Sequence, residues 1–232
     1  MYIYGKNVAK ETLESNNKIV KAIICEDFND QDLILALKEK QVNIKRLSKK
    51  EFYKLDNNNN QGIILEVPDY KYCSLDDILI KEKPFIVILD HIEDPHNFGA
   101  IVRTCEAAGV DGIIITKDRC VSVNSTVMKT SAGALNNVKI CMVTNLNNTI
   151  KELKKRGLWI VGTDMTNSSL YTQIDYDMPI ALVIGSEGFG MSRLIKESCD
   201  YIVNIPMNGK VNSLNASVAA GILIYKIIEK RT

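Results

Sequence analysis

Five polar side chains stand where ordinary structural duty does not account for all of them: Asn97, Arg103, Glu187, Ser213 and Asn215. Arg103 lies in Ala100-Ile101-Val102-Arg103-Thr104-Cys105, an apolar helical stretch in which a charge requires a partner or a ligand. Asn97 follows the polar loop Asp90-His91-Ile92-Glu93-Asp94-Pro95-His96 and, with that loop taken alone, reads first as an N-cap of that helix. Glu187 sits in Gly185-Ser186-Glu187-Gly188-Phe189-Gly190, where glycine lets backbone approach a ligand and a carboxylate caps a helix or binds a partner. Ser213 and Asn215 open a helical pattern in Asn212-Ser213-Leu214-Asn215-Ala216-Ser217, so capping explains one of them and hardly both.

Several chemistries are excluded. Ser213 as an acyl-transfer nucleophile needs a base, yet neither histidine is near it and no G-x-S-x-G elbow occurs. The glycine turn lacks the Lys-Ser/Thr of a P-loop and comes late in the chain, without the acidic residue of a dinucleotide fold, which argues against nucleoside triphosphates and NAD. The only histidines, His91 and His96, share one loop with Asp90, Glu93 and Asp94 but find no third well-spaced ligand, so no metal is expected. The six cysteines form no CxxC pair, and free thiols in a reducing compartment are the expectation.

The elements that must position these residues alternate. From Phe85 onward apolar runs at 85–89, 112–116, 138–142, 158–162, 180–184 and 201–205 are separated mostly by helical patterns, and a long one covers 213–229. Continuous apolar strands between helices predict a parallel sheet covered on both faces. Both glycine-bearing turns, after 180–184 and after 201–205, follow strands and lead into helices, which makes 180–228 the expected floor of the site.

A smaller α/β unit is expected over residues 1–70: helix 5–16, strand 19–25, helix 30–40, strand 42–47, a helix capped by Ser48, an Asn-rich loop at 57–60 and strand 63–67. A linker with a capped helix at 74–80 is expected at 71–83, and the main domain at 84–232. Within the small unit, Lys45, Arg46, Lys49, Lys50 and Lys54 with Phe52 and Tyr53 interleaved read either as a phosphate-contacting, base-stacking patch or as a solvated helix face with aromatics packed inward. Net charge +1 gives no global field, so RNA binding requires a local patch. No signal-peptide core or membrane-length apolar run is present, and a cytoplasmic protein is expected.

Three segments together resemble the SpoU (TrmH) RNA ribose 2′-O-methyltransferases: Asp94-Pro95-His96-Asn97-Phe98-Gly99 through Arg103 to Gly109, then Ile184-Gly185-Ser186-Glu187-Gly188, then Ile205-Pro206-Met207 with Ser213-Leu214-Asn215-Ala216-Ser217. They occur in family order, and Gly5-Lys6-Asn7-Val8 with Gln61-Gly62-Ile63 is similar to the family's small RNA-binding domain. The resemblance implies a trefoil-knotted α/β methyltransferase domain, a homodimer with the site near its interface, no metal, and S-adenosylmethionine as methyl donor. It also implies catalytic roles for Asn97, Arg103, Glu187, Ser213 and Asn215, and cofactor contacts from Gly185, Ser186, Gly188, Ile205, Met207 and Leu214. RNA contacts are expected at Asn7, Lys45, Arg46, Lys49, Lys50 and Gln61. The expected substrate is a guanosine of 23S ribosomal RNA; transfer RNA, or a catalytically silent RNA-binding assembly factor, are the alternatives.

Overall fold

The structure, a computed structural model, describes residues 1–14, 18–55, 60–166 and 168–231. The asparagines at 16, 17 and 57–59 lie outside the described residues.

The chain begins with β1 (Tyr2–Tyr4), α1 (Lys6–Glu14), β2 (Lys21–Cys25), α2 (Gln31–Glu39), β3 (Ile44–Leu47), α3 (Lys49–Leu55) and β4 (Ile63–Glu66). Their strands form a mixed sheet in the order β1-β4-β2-β3. Local chemistry sets the helices. Asp30 caps α2 by accepting from the Leu33 N–H at 3.3 Å, while Leu33, Ile34 and Leu37 bury one face. Ser48 and Glu51 bond reciprocally at the start of α3, with Glu51 N–H donating to Ser48 Oγ at 3.4 Å and Ser48 N–H to Glu51 Oε2 at 3.3 Å. Strand β1 was not foreseen: three residues carry no readable period, and only pairing with β4 defines them.

The connecting segment lies against the second unit. Tyr70 Oη donates to the Val138 carbonyl at 3.1 Å, the backbone of Cys73 forms an isolated parallel β-bridge with that of Cys141, and the expected helix at 74–80 shrinks to a single 3-10 turn, Asp76–Ile78. Only Ile78 of that turn is buried, which leaves no apolar stripe to sustain a longer helix.

The second unit runs β5 (Phe85–Asp90), α4 (Pro95–Ala107), β6 (Gly112–Thr116), α5 (Ser125–Thr130), β7 (Ile140–Val143), α6 (Leu146–Lys155), β8 (Trp159–Thr163), β9 (Ser169–Leu170), β10 (Ile180–Gly185), α7 (Arg193–Ser198), β11 (Tyr201–Asn204) and α8 (Ala216–Arg231). The seven strands are ordered β7-β6-β5-β10-β8-β11-β9, and every pairing is parallel. Strands β5 and β10 are buried along their whole length. Alternate residues feed two cores: Val87, Leu89, Leu182 and Ile184 pack with α4, α5 and α8, whereas Ile86, Ile88, Ala181 and Val183 pack with α6 and α7. This is the two-face coverage that the continuous apolar runs predict. Met128 of α5 packs against the cores of both units, joining them. Among the described residues no helix is long and apolar enough to cross a membrane.

Candidate active site

Strands β5 and β10 are neighbours although β6 to β9 intervene in the chain, and Gly185 pairs in register with Asp90 at their carboxyl ends. From this point the sheet continues to β6 and β7 on one side and to β8 and β11 on the other. Open α/β sheets bind ligands in the crevice outside such a switch point.

Three expected residues meet there. Asp94, not Asn97, caps α4 by accepting from the His96 N–H at 3.0 Å, with Pro95 in the first turn. Asn97 is thereby free to turn inward, and its Nδ2 donates to Glu187 Oε1 at 3.2 Å. The same Glu187 oxygen accepts from Asn215 Nδ2 at 2.5 Å and from the Ala216 N–H at 3.1 Å, while Asn215 Nδ2 also reaches Asn97 Oδ1 at 2.9 Å. Asn215 in addition caps α8 through Oδ1, which accepts from the Ser217 and Val218 N–H groups at 2.9 and 3.3 Å. A carboxylate at a helix amino terminus is electrostatically favoured, so Glu187 both braces α8 and ties it to α4 and the glycine turn.

The turn itself has a tight closure. Ser186 and Gly190 exchange backbone hydrogen bonds of 3.0 and 2.9 Å, and a Cβ on Gly185 would come within 2.3 Å of the Gly190 carbonyl carbon. Only glycine fits there. Asp90 is buried at 2% exposure; Oδ2 accepts from the Ser192 N–H at 2.8 Å and Oδ1 lies 2.6 Å from His91 Nδ1. It therefore locks the end of β5 to the chain leaving the turn.

A cavity of about 440 Å³ opens beside this cluster. All six expected cofactor contacts, Gly185, Ser186, Gly188, Ile205, Met207 and Leu214, line it together with Ser213. Thr163, Asp164 and Met165 line it as well and were missed. They lie at the end of β8 and just beyond it, and a sequence gives no sign that β8 lies next to β10. Burial pushes the Asp164 carboxyl up, but Lys196, at 2.8 Å, and Thr166 outweigh it and hold it below the usual carboxylate range.

Arg103 is placed elsewhere. It is exposed, forms no hydrogen bond or ion pair among the described residues, and lines a shallow cleft with Glu11, Glu14 and Glu106. In the small unit the Gln61 side chain accepts from the Lys6 N–H at 2.8 Å, which brings Gln61 beside Asn7, itself exposed in the first turn of α1. Lys45, Arg46, Lys49 and Lys50 are all exposed on edge strand β3 and α3, with Lys49 3.1 Å from Asp27. Of the interleaved aromatics Phe52 is fully buried and Tyr53 is 46% exposed, so only Tyr53 is open to stacking. The six cysteines are free thiols, and burial pushes Cys120 up to about 11 and Cys199 up to about 12. Among the described residues no group of three or more metal-ligating side chains exists.

Residues 84–225 match the SpoU rRNA methylase family, and residues 2–73 match the RNA 2′-O ribose methyltransferase substrate-binding family. Fold, site and these two matches define an RNA 2′-O-ribose methyltransferase carrying its own substrate-binding domain. Over 99% of its length the chain is 44% identical to a Bacillus subtilis protein assigned to the TrmH family of tRNA/rRNA methyltransferases, of which 96% is covered. The chain belongs to this SpoU/TrmH family. Its fold is similar to that of the SpoU methyltransferase AviRb from Streptomyces viridochromogenes, solved in complex with AdoMet, with a TM-score of 0.82 at 23% identity over 100% of this chain and 90% of that one. The A. aeolicus TrmH/SpoU tRNA modifying enzyme is 35% identical, with a TM-score of 0.59 over 67% of this chain and 79% of that one.

Proposed function

We propose that the protein transfers a methyl group from S-adenosylmethionine to a ribose 2′-hydroxyl of RNA, with a guanosine of 23S ribosomal RNA as target. The observation that carries this reading is the Asn97–Glu187–Asn215 cluster, whose central Glu187 lines the 440 Å³ cavity. The cavity suits the donor. Ile184, Val203, Ile205 and Leu223 offer apolar surface for a flat ring, while Ser186, Asn204 and the backbone of Gly185 and Gly188 offer polar contacts for a ribose and an amino-acid moiety. When bound, S-adenosylmethionine supplies an electrophilic methyl on a sulfonium, so the protein needs no covalent nucleophile. What the chain itself must do is align the 2′-oxygen and ease loss of its weakly acidic proton.

Glu187 holds Asn97 and Asn215 in fixed orientation, and Asn215, with Ser213 on the cavity lining, positions the ribose. Arg103 contacts the target phosphate or 2′-oxygen by charge and by its fork of donors rather than as a base. Within one chain Arg103 makes no contact with the cluster, and in a homodimer it is available to the partner's site. Helix α8 supports such a dimer: it is apolar on nearly every side, with Val218 and Tyr225 exposed. The insertion of β10 between β5 and β8, with α8 packed back on α4, supports a knotted path for the chain. The separate substrate-binding domain and its exposed Lys45, Arg46, Lys49 and Lys50 favour ribosomal RNA, and a cytoplasmic location follows from that substrate.

Calorimetric titration with S-adenosylmethionine tests the donor, and mapping of 2′-O-methyl groups in RNA from cells with and without the gene tests the acceptor. No binding at millimolar donor sinks the enzyme reading. A site lost from transfer RNA instead of 23S RNA redirects the substrate.

A further inference from the structure

A second cavity, of about 610 Å³, opens on the other side of the glycine turn. Phe189 borders both cavities. It stands between Gly188 at φ 82° and Gly190 at φ 66°, on a turn braced by the paired Ser186 and Gly190 hydrogen bonds. At 95% exposure its ring contributes almost nothing to either core. The hydrogen-bonded turn thus holds a phenyl face at the rim of both cavities, open to whatever enters either one.

The remainder of the cavity is mixed, with Ile92, Met191 and Ala216 lining it beside polar and charged side chains. His91 and Arg119 line it, the first with Nδ1 2.6 Å from the buried Asp90, the second without an ion pair among the described residues. Both are non-glycine residues at positive φ, 63° and 58°, a strained setting that clusters at functional sites. Glu93 and Asp94 are exposed carboxylates of the same cavity, Asn97 lines it as well, and Glu187 belongs to the side shared with the methyl-donor cavity. An aromatic face, an unpaired guanidinium and an imidazole around one opening suit a nucleotide better than an acidic peptide, which has no flat ring to stack.

We propose that this second cavity receives the target nucleotide, turned out of its stack, with its base lying on Phe189 and its phosphate beside Arg119. The assignment rests on the methyl-transfer reading and names what that reading leaves open, the group that holds the acceptor. With the ribose facing the donor cavity, the base lies across the ridge that both cavities share, Phe189 with Glu187. Stacking of this kind tolerates any base, so Phe189 governs hold on the substrate and not choice of nucleotide.

The test uses the full-length protein and ribosomal RNA from a strain lacking the gene. For Phe189→Ala the KM for RNA rises roughly five- to hundredfold, the loss expected for one stacked base. The S-adenosylmethionine affinity shifts far less, and Phe189→Tyr restores the KM. In a Trp159→Phe background the indole of Phe189→Trp is quenched when the RNA is added. An RNA KM within twofold of wild type for Phe189→Ala, a loss confined to donor affinity, or an unquenched indole each overturn the assignment. A wild-type protein that neither binds S-adenosylmethionine nor methylates this RNA overturns the reading beneath it, and the quenching arm still decides whether RNA meets Phe189.

Discussion

A single oxygen, Glu187 Oε1, accepts three hydrogen bonds from two separate segments, α4 and the start of α8. Because the carboxylate is exposed, its removal should leave the fold standing and loosen the site. Glu187→Ala is expected to lower kcat/KM on RNA by roughly a hundredfold, the order seen when reacting groups are misplaced by about an ångström, while the melting temperature moves little. Single-turnover methylation beside a thermal melt checks this, and a large stability loss with intact turnover would show the role to be structural. Arg103→Lys is the contrasting case. It keeps the charge and loses the planar fork, and methylation near the wild-type rate would refute any need for bidentate contact. At this scale the sequence was informative about residue type and uninformative about direction. Asn97, taken alone, reads first as a cap, and only the capping by Asp94 shows why it turns inward.

At the level of elements the apolar runs marked nearly every strand of the large sheet, since full burial on both faces leaves an unbroken hydrophobic record. What escaped was order. Nothing in Phe85-Ile86-Val87-Ile88-Leu89 says that its neighbour is Ile180–Gly185, so Thr163, Asp164 and Met165 could not be assigned to the cavity in advance. The two-residue β9 and three-residue β1 were likewise too short to show a period. Helix packing holds another position that the sequence does not flag. A Cβ on Gly99 of α4 would lie 1.8 Å from Thr130 Oγ1 of α5. Gly99→Ala should therefore cost about 1–3 kcal/mol by overpacking, a fall of roughly 2–10 °C in Tm, with Thr130→Ala in the same chain recovering part of it. Differential scanning calorimetry of the single and double variants decides; an unchanged Tm for Gly99→Ala would mean the helices separate without penalty.

For the molecule as a whole, the outward face of α8 is the feature that most affects assembly. Placing a charge there, Val218→Glu, should convert the proposed dimer to monomer in sedimentation equilibrium and reduce methylation with it, because desolvating an unpaired carboxylate in an apolar contact is unfavourable. A wild-type monomer, or a variant that stays dimeric, would count against the α8 interface. The domain pair was readable from composition and strand content, yet their junction was not: Met128 packs into both cores from a helix whose own pattern gives no hint of it. The pairing of β5 with β10 has a further consequence, in time rather than in space. Everything from β6 to β9 must be synthesised before β5 can find its central partner, so the sheet is dominated by non-local contacts of the kind that form slowly. The small unit, complete by β4, can fold while the ribosome is still at work. The 440 Å³ cavity cannot, because its lining comes from the last strands and helix to emerge. A nascent chain would thus carry an RNA-facing surface well before it has any means of modifying what it holds.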